Sequence, residues 1–311
     1  MNDQLLLQDF VIDVFRENLN MNYAQIRRGS HITAEFMRLP VKTRLNTWSA
    51  SKGFVSCAAG IALEEGLIDL HEKVVDIFPE YVPERPGEFL PQITLEHLLT
   101  MTSGLSTSLF FCDWPERYIV YDWIDHFFHA GFDKRPGSEW RYSNFNTYIL
   151  SCAIEKRAGV NLLEYLRYRL FEPIGIGNPD WTLCPKGHVH AANGLYLTID
   201  ELANYGEMIC HYGSFRGRQI IPESYMRYAA SNLVDNSACR SAENASYAGY
   251  GYGYQFIMNP DGRSFRSEGN YGQFCVVLPE ADATVVVMSL EGRYTRIGEL
   301  LWKDVIDRID I

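Results

Sequence analysis

Apolar residues near the N-terminus of the chain recur first at helical and then at strand spacing. The first group has members four residues apart, namely Leu6, Phe10 and Val14. This spacing places them on one face of a helix. Two apolar-rich segments, 23–28 and 32–37, then flank Gly29 and Ser30. A short turn signal between two such segments predicts a β-hairpin.

Small residues dominate the next periodic segment, 49–65, which is followed by Gly66. This composition predicts a closely packed central helix that ends at the glycine. Patterns between Asp76 and Lys186 are mostly helical, and Thr94 is a candidate N-cap within them.

Strand-like patterns return near the C-terminus, in segments 251–257, 274–278 and 284–288, and a final helix is predicted over 295–308. We therefore expect an α/β fold of the α+β type. Its antiparallel sheet would come from both chain ends and be flanked by helices, with an inserted, mostly helical lobe. The expected division assigns residues 1–75 and 190–311 to the sheet lobe and residues 76–189 to the helical lobe, with the active site at their interface.

The composition is that of an ordinary globular protein, with 47% hydrophobic and 22% charged residues among 311. A net charge of −11 argues against nucleic acid or an anionic membrane as a partner. The first residues, 1–7, show neither a basic region nor a cleavage site typical of a signal peptide, so we expect a cytoplasmic protein. The seven cysteines include no Cys-x-x-Cys pair, which favours reduced thiols. Self-association into a homo-oligomer stays open.

Ser49 and Lys52 form a Ser-x-x-Lys element at the start of the predicted central helix. Residues three apart share a helix face, so the hydroxyl and the ammonium would lie side by side. A partly desolvated lysine can activate a serine hydroxyl for covalent acyl transfer. One such pair is expected by chance in about every chain of this length, so other elements must support it.

The chain contains one Tyr-x-Asn element, Tyr142-Ser143-Asn144. A tyrosine held near cationic or amide donors can be deprotonated and serve as a general base. The Asn144 amide could orient Lys52 and a substrate carbonyl. By itself, the element is equally typical of a loop tyrosine followed by a helix cap.

Together these elements resemble the penicillin-recognising serine hydrolases, which include class C β-lactamases, DD-peptidases, β-lactamase-like carboxylesterases and 6-aminohexanoate-oligomer hydrolases. The resemblance covers most of the chain. It extends to the segments 66–80, 93–105 and 193–203. It implies a β-lactamase/transpeptidase-like fold and an acyl-enzyme mechanism, with no metal or other cofactor.

The third element of that family is normally Lys-Thr-Gly, Lys-Ser-Gly or His-x-Gly on the strand that lines the cleft. The matching segment here is Ser267-Glu268-Gly269, so Ser267 replaces the cation. Arg266 is one residue away and should point to the opposite face of the strand. Without the cation, an anionic substrate loses a charge-assisted hydrogen bond worth about 1.5–3 kcal/mol.

The resemblance implies a role for each site residue. Ser49 would attack the carbonyl carbon, and Tyr142, its pKa lowered by Lys52, would take and return the proton. Whether Tyr142 or Lys52 is the main base stays open. Backbone N–H groups of Ser49 and Asn270 would hold the oxyanion. Ser267 and Gly269 would lie at the substrate.

We therefore expect an esterase or amidase acting on a small-molecule substrate. The alternatives are a β-lactamase or DD-peptidase, and a non-catalytic, penicillin-binding-like sensor domain.

Other candidate residues favour structural roles. The His-x-Gly strings at His129 and His211 are typical of helix ends. Cys184, His188 and His190 could be metal ligands, but no matching acidic or thiol partner follows at good spacing. Aromatic residues between 108 and 128 are compatible with core packing and with a wall of an acyl pocket.

Overall fold

A computed structural model of the chain describes residues 2–107, 119–244 and 246–310. The helices are α1 (Asp3–Arg16), α2 (Ser51–Glu64), α3 (Val74–Ile77), α4 (Leu95–Leu99), α5 (Trp123–Phe128), α6 (Asn144–Ala158), α7 (Leu162–Leu166), α8 (Ile199–Cys210), α9 (Glu223–Ala229) and α10 (Tyr294–Asp304). The strands are β1 (Met21–Arg28), β2 (His31–Met37), β3 (Leu45–Asn46), β4 (Asp180–Trp181), β5 (Leu195–Leu197), β6 (Ser214–Phe215), β7 (Arg218–Gln219), β8 (Ile257–Met258), β9 (Phe265–Gly269), β10 (Gln273–Leu278) and β11 (Ala283–Ser289).

The largest sheet takes its strands from both ends of the chain. It has six antiparallel strands in the order β2-β1-β11-β10-β9-β8. The hairpin of β1 and β2 joins the C-terminal strands through β11, where Ala24 pairs with Val287 and Ile26 with Val285. The predicted fold class is confirmed. The division into lobes at residues 76 and 190 stays a prediction.

The central strands β10 and β11 of this sheet are buried on both faces. Side chains alternate along each strand, so neighbouring residues pack in different cores. On β11, Val285 and Val287 pack in the core that includes residues of α1 and α10. Their neighbours Val286 and Met288 pack in the second core, with residues of α2 and α8. Burial on both sides explains why β11 is a continuous apolar run instead of an alternating one.

Most predicted helices have local signals that explain their ends. The Thr94 side chain accepts a hydrogen bond from the His97 N–H at the start of α4, which forms a capping box. Helix α6 ends at Gly159 in the left-handed conformation, with φ +71°. Helices α5 and α8 end directly before His129 and His211, so the assignment of these histidines to helix ends is confirmed.

The predicted strand over 251–257 is wrong. Regular pairing in this region is confined to β8, and Tyr252 makes isolated bridges to Val234 and Ile257. Gly251 has φ +128° and Gln255 has φ +65°, and neither angle fits a regular strand. The alternating apolar pattern therefore reflects a buried irregular segment.

Candidate active site

Ser49 lies in a 3-10 turn, Trp48–Ala50, which connects β3 to α2. The regular helix begins two residues later than the sequence predicts, at Ser51. β3 pairs with β5, and the Thr47 N–H donates to Leu195 O at 2.8 Å, which anchors the turn. Trp48 has φ +49°, a conformation that costs a non-glycine residue about 1 kcal/mol. Such strained residues cluster at functional sites, where the surrounding structure holds them.

Lys52 lies in the first turn of α2, and its side chain is buried. Its ammonium donates hydrogen bonds to Ser49 Oγ (3.0 Å), Asn144 Oδ1 (2.8 Å) and Ala192 O (2.9 Å). The carbonyl of Ala192 follows Ala191, which is itself in the left-handed conformation at φ +60°. The ammonium is therefore oriented toward the Ser49 hydroxyl by two oxygens from distant parts of the chain.

Tyr142 and Asn144 reach the same place from the start of α6. The Ser143 side chain caps this helix by accepting a hydrogen bond from the Phe145 N–H, at 3.2 Å. The Lys52 ammonium lies 4.7 Å from the centroid of the Tyr142 ring. The structure thus brings Ser49, Lys52, Tyr142 and Asn144 together, as the sequence elements require.

Gly269 places the end of β9 directly against the serine turn. A Cβ atom at this position would lie 2.3 Å from Thr47 O and 3.0 Å from Ser49 N. Glycine is therefore required for the two backbones to approach so closely. Ser49, Gly269 and Asn270 all line one cavity.

The expected orientation of Ser267 is corrected by the structure. Ser267 is buried, and its hydroxyl lies 3.0 Å from Tyr205 Oη. Both groups are below α2, where a Cβ added to Gly53 would be 2.0 Å from the Tyr205 oxygen. Arg266 does lie on the opposite face of β9, but that face, with Glu268, lines the cavity. The alternation was predicted correctly, and the face that meets the cavity was not.

Tyr205 occupies the space under α2 into which the Ser267 side chain points. It comes from α8 and is fully buried. Burial raises the pKa of its hydroxyl well above the ordinary value, so the phenol is neutral. A neutral Ser267–Tyr205 pair thus lies where the resemblance places a cation. No signal in the sequence identifies Tyr205, because its contact with β9 spans more than sixty positions.

A cavity of about 340 Å³ opens beside Ser49. Sequence reasoning missed most of its walls, which include Trp48, Trp140, Asn193, Tyr252, Arg266 and Glu268. Several aromatic rings line the cavity, and the ring centroids of Trp140 and Tyr252 are 5.6 Å apart. The size and the mixed lining are typical of a small-molecule site.

The other candidate residues are placed elsewhere. Phe110, Phe111, Trp114 and Tyr118, from the aromatic segment, lie outside the described residues. The later members of that segment, Trp123, Phe127 and Phe128, pack in the core with α6.

The candidate metal ligands also have structural contacts. His188 contacts the Glu155 carboxylate, and Cys184 Sγ lies 3.3 Å from Tyr148 Oη. Glu155 additionally accepts a hydrogen bond from the Leu162 N–H at the start of α7. Cys152, Glu155 and His188 form a cluster whose potential ligand atoms lie within 4.8 Å. Both Glu155 oxygens already accept hydrogen bonds that tie α6 to its neighbours, which favours a structural role.

Residues 14–298 match the Beta-lactamase family. The chain belongs to this family. Monacolin J acid methylbutanoyltransferase from Aspergillus terreus (strain NIH 2624 / FGSC A1156) is 30% identical over 228 residues, which are 63% of this chain and 54% of that protein. Among the first curated relatives, the matched region spans about two fifths to one half of their length.

Solved structures from the family share the fold of this chain. The octameric penicillin-binding protein homologue from Pyrococcus abyssi superposes with a TM-score of 0.74 at 20% identity, covering 97% of this chain and 77% of that one. A family VIII carboxylesterase superposes with a TM-score of 0.73 at 15% identity, covering 98% of each chain. Within the part of the chain that the structure describes, none of the helices combines the length and hydropathy of a membrane span.

Proposed function

We propose that this chain is a serine hydrolase that cleaves a carboxylic ester or amide through an acyl-enzyme on Ser49. The observation that carries the proposal is the contact of the buried Lys52 ammonium with Ser49 Oγ at 3.0 Å, beside the Tyr142 ring. Family membership supports the same chemistry, since relatives include enzymes named as an acyltransferase and an esterase.

In the first step, Ser49 Oγ attacks the carbonyl carbon of the substrate. Its proton passes to the Tyr142 phenolate or to the neutral amine form of Lys52, and then to the departing alcohol or amine. The oxyanion is held by the backbone N–H groups of Ser49 and Asn270. The close packing of Gly269 against the serine turn supports this assignment. Water then attacks the acyl-enzyme, releases the acid and restores the Ser49 hydroxyl.

The neutral Ser267–Tyr205 pair favours an esterase or amidase over a β-lactamase or DD-peptidase. Anionic substrates of the latter enzymes gain from a cation at the third family element, and here that element offers two hydroxyl groups below α2. Cytoplasmic residence stays a prediction. Assembly into a homo-oligomer also stays a prediction, supported by the octameric homologue.

The test is hydrolysis of p-nitrophenyl butyrate by the native protein, by Ser49→Ala and by Ser224→Ala. Ser224 is an exposed serine on α9 and serves as the matched control. We expect turnover by the native protein and by Ser224→Ala, and a loss of at least about a thousandfold for Ser49→Ala. Mass spectrometry should detect a butyryl adduct on the native protein and on Ser224→Ala, and none on Ser49→Ala. Turnover that survives in Ser49→Ala would contradict the assignment of the nucleophile.

Transfer of the acyl group to an alcohol is a second candidate outcome, since a relative 30% identical is named as a methylbutanoyltransferase. Hydrolysis in the presence of a primary alcohol distinguishes the two. Accumulation of the new ester at the expense of butyrate would indicate an acyltransferase. Release of butyrate alone would indicate a hydrolase.

A further inference from the structure

The Glu268 carboxylate in the wall of the active-site cavity is held in place by the neighbouring Arg266. Arg266 and Glu268 alternate with Ser267 on β9, and both line the cavity next to Gly269. The Arg266 Nε donates to Glu268 Oε2 at 2.8 Å. The Glu268 side chain is 17% exposed and the Arg266 side chain 1%. The carboxylate is therefore the more accessible member of this pair.

The Arg266 guanidinium makes its other contacts within the protein. It donates to Asn259 Oδ1 at 2.9 Å and lies 5.3 Å and 5.1 Å from the rings of Tyr247 and Trp302. These contacts hold the positive charge under the wall and leave little of it available to a ligand. A carboxylate has about four lone-pair directions, and a single hydrogen bond from Arg266 occupies one of them.

Aromatic rings line the same cavity. Trp48, Trp140 and Tyr252 do so together with Glu268, and the Tyr142 ring already has the Lys52 ammonium 4.7 Å from its centroid. Ring faces attract organic cations, and the attraction grows when the site is shielded from water. An acidic acceptor surrounded by aromatic rings therefore favours an ammonium group and disfavours a carboxylate.

We propose that Glu268 and these rings form a subsite for an alkylammonium group of the substrate, beside the carbonyl that Ser49 attacks. The inference rests on the proposed function, which it deepens by naming the substrate class as esters or amides that carry an amine. Lys52 places an ammonium beside the reacting Ser49 oxygen. Glu268 shares its charge with Arg266 and offers its remaining lone pairs to the substrate's cationic group.

A binding measurement tests the subsite without catalysis. Each protein is titrated with n-butylammonium, 1-butanol and butyrate, and binding is followed by tryptophan fluorescence, since Trp48 and Trp140 line the cavity. The parent protein is Ser49→Ala. The two test proteins carry Glu268→Gln or Glu280→Gln in addition to Ser49→Ala. Glu280 pairs with Arg263 on the surface and controls for the loss of one charge. Circular dichroism shows that each variant is folded.

We expect n-butylammonium to bind on the order of tenfold more weakly after Glu268→Gln. The Glu280→Gln protein should bind n-butylammonium with the same affinity as the parent. Both of these proteins should bind butyrate more weakly than n-butylammonium. Equal affinity for butylammonium with and without the Glu268 charge would overturn the proposal. Tighter binding of butyrate than of butylammonium would also overturn it.

A kinetic measurement separates this proposal from the proposed function. With Ser49 present, kcat/KM is compared for p-nitrophenyl 3-aminopropanoate and for p-nitrophenyl butyrate, which differ by an ammonium in place of a methyl group. We expect their ratio to fall about tenfold in Glu268→Gln and to stay constant in Glu280→Gln. Hydrolysis of both esters with an unchanged ratio would refute the subsite and leave the hydrolase standing. Binding that depends on Glu268 without any hydrolysis would refute the hydrolase and leave the subsite standing.

Discussion

Two buried cations in this molecule have different kinds of partner. The Arg27 side chain on β1 is 5% exposed and pairs with the carboxylates of Asp200, at 3.4 Å, and Glu207, at 3.7 Å. The Lys52 ammonium donates instead to neutral oxygens of Ser49, Asn144 and Ala192.

The difference shows which buried charge stabilises the fold and which is held for chemistry. Burial lowers the pKa of the Arg27 guanidinium, but the negative charges of Asp200 and Glu207 act against this change. A cation matched by carboxylates is neutralised locally, and removing it leaves the buried Glu207 carboxylate with less compensating charge. Neutral oxygens orient the Lys52 ammonium without cancelling its charge, so its field still acts on Ser49.

Replacement of Lys52, the buried cation beside Ser49, should have the largest effect on activity. For Lys52→Met we expect kcat/KM on p-nitrophenyl butyrate to fall by about a thousandfold or more, because the activating charge is lost. The free energy of unfolding should change by less than about 2 kcal/mol, since the cost of burying the ammonium disappears while its acceptors lose a donor. Urea unfolding and initial rates measure the two quantities. A variant that is mainly unfolded, with normal activity per folded molecule, would reverse the roles assigned here.

The corresponding change at the structural cation should do the opposite. Arg27→Met removes the buried cation that lies 3.7 Å from the Glu207 carboxylate and leaves that carboxylate with the half-exposed Arg216, at 3.3 Å. We therefore expect a loss of about 3 kcal/mol in the free energy of unfolding. The kcat/KM of the folded fraction should stay within about twofold of the native value. Arg218→Met, at an exposed position on β7, is the control for losing an arginine. A stable but inactive Arg27→Met protein would contradict the comparison.

A methyl group at Gly269 should disturb the site by displacing backbone. Gly269→Ala places a Cβ 2.3 Å from Thr47 O, which separates β9 from the serine turn. We expect kcat/KM to fall about a hundredfold and stability to fall by about 1–3 kcal/mol. Gly292→Ala, which meets nothing within 4 Å, should match the native protein in both measurements. Equal kinetics for the two variants would exclude a role for this close approach.

The smallest effect is expected from the pH dependence of the Arg27 cluster. Burial by itself raises the pKa of the Asp200 carboxyl, but hydrogen bonds from Lys42 and Gln25, with the charges of Lys42 and Arg27, outweigh it and lower the pKa. A carboxyl with a lowered pKa in the folded state stabilises the fold above its unfolded pKa of about 4. That contribution is lost as the pH falls through the folded value.

Asp200→Asn should remove this contribution. The native protein should exceed the variant by about 1 kcal/mol or less at pH 7, because the Asp200 side chain is 40% exposed, and the difference should shrink below about pH 4. Urea titrations at several pH values measure it. A difference that grows on acidification would show that the sign is wrong.

The parts of the site that the sequence predicted are those with local spacing. Ser49 and Lys52 are one helical turn apart, and Tyr142 and Asn144 are two residues apart at a helix start, so each pair depends on short-range geometry. The helix and strand patterns around them also gave the fold class. The failure at 251–257 shows the limit of such patterns, since buried irregular segments contain the same alternation of apolar residues.

Period-two alternation correctly separated Arg266 from Ser267, but it carries no information about which face of β9 meets the cavity. That choice depends on α8, whose Tyr205 lies beneath α2 against Ser267. The same packing of α8 against β9 places Glu268 in the cavity wall.

The sequence by itself determined the fold class, the pairing of Ser49 with Lys52 and the absence of a cation at position 267. Each of these depends on residues that are close together in the sequence. Only the tertiary structure decided what Lys52 contacts, where Ser267 points and which carboxylate enters the cavity. Those contacts join segments far apart in the chain, and their geometry follows from how helices pack on the sheet, which local patterns do not encode.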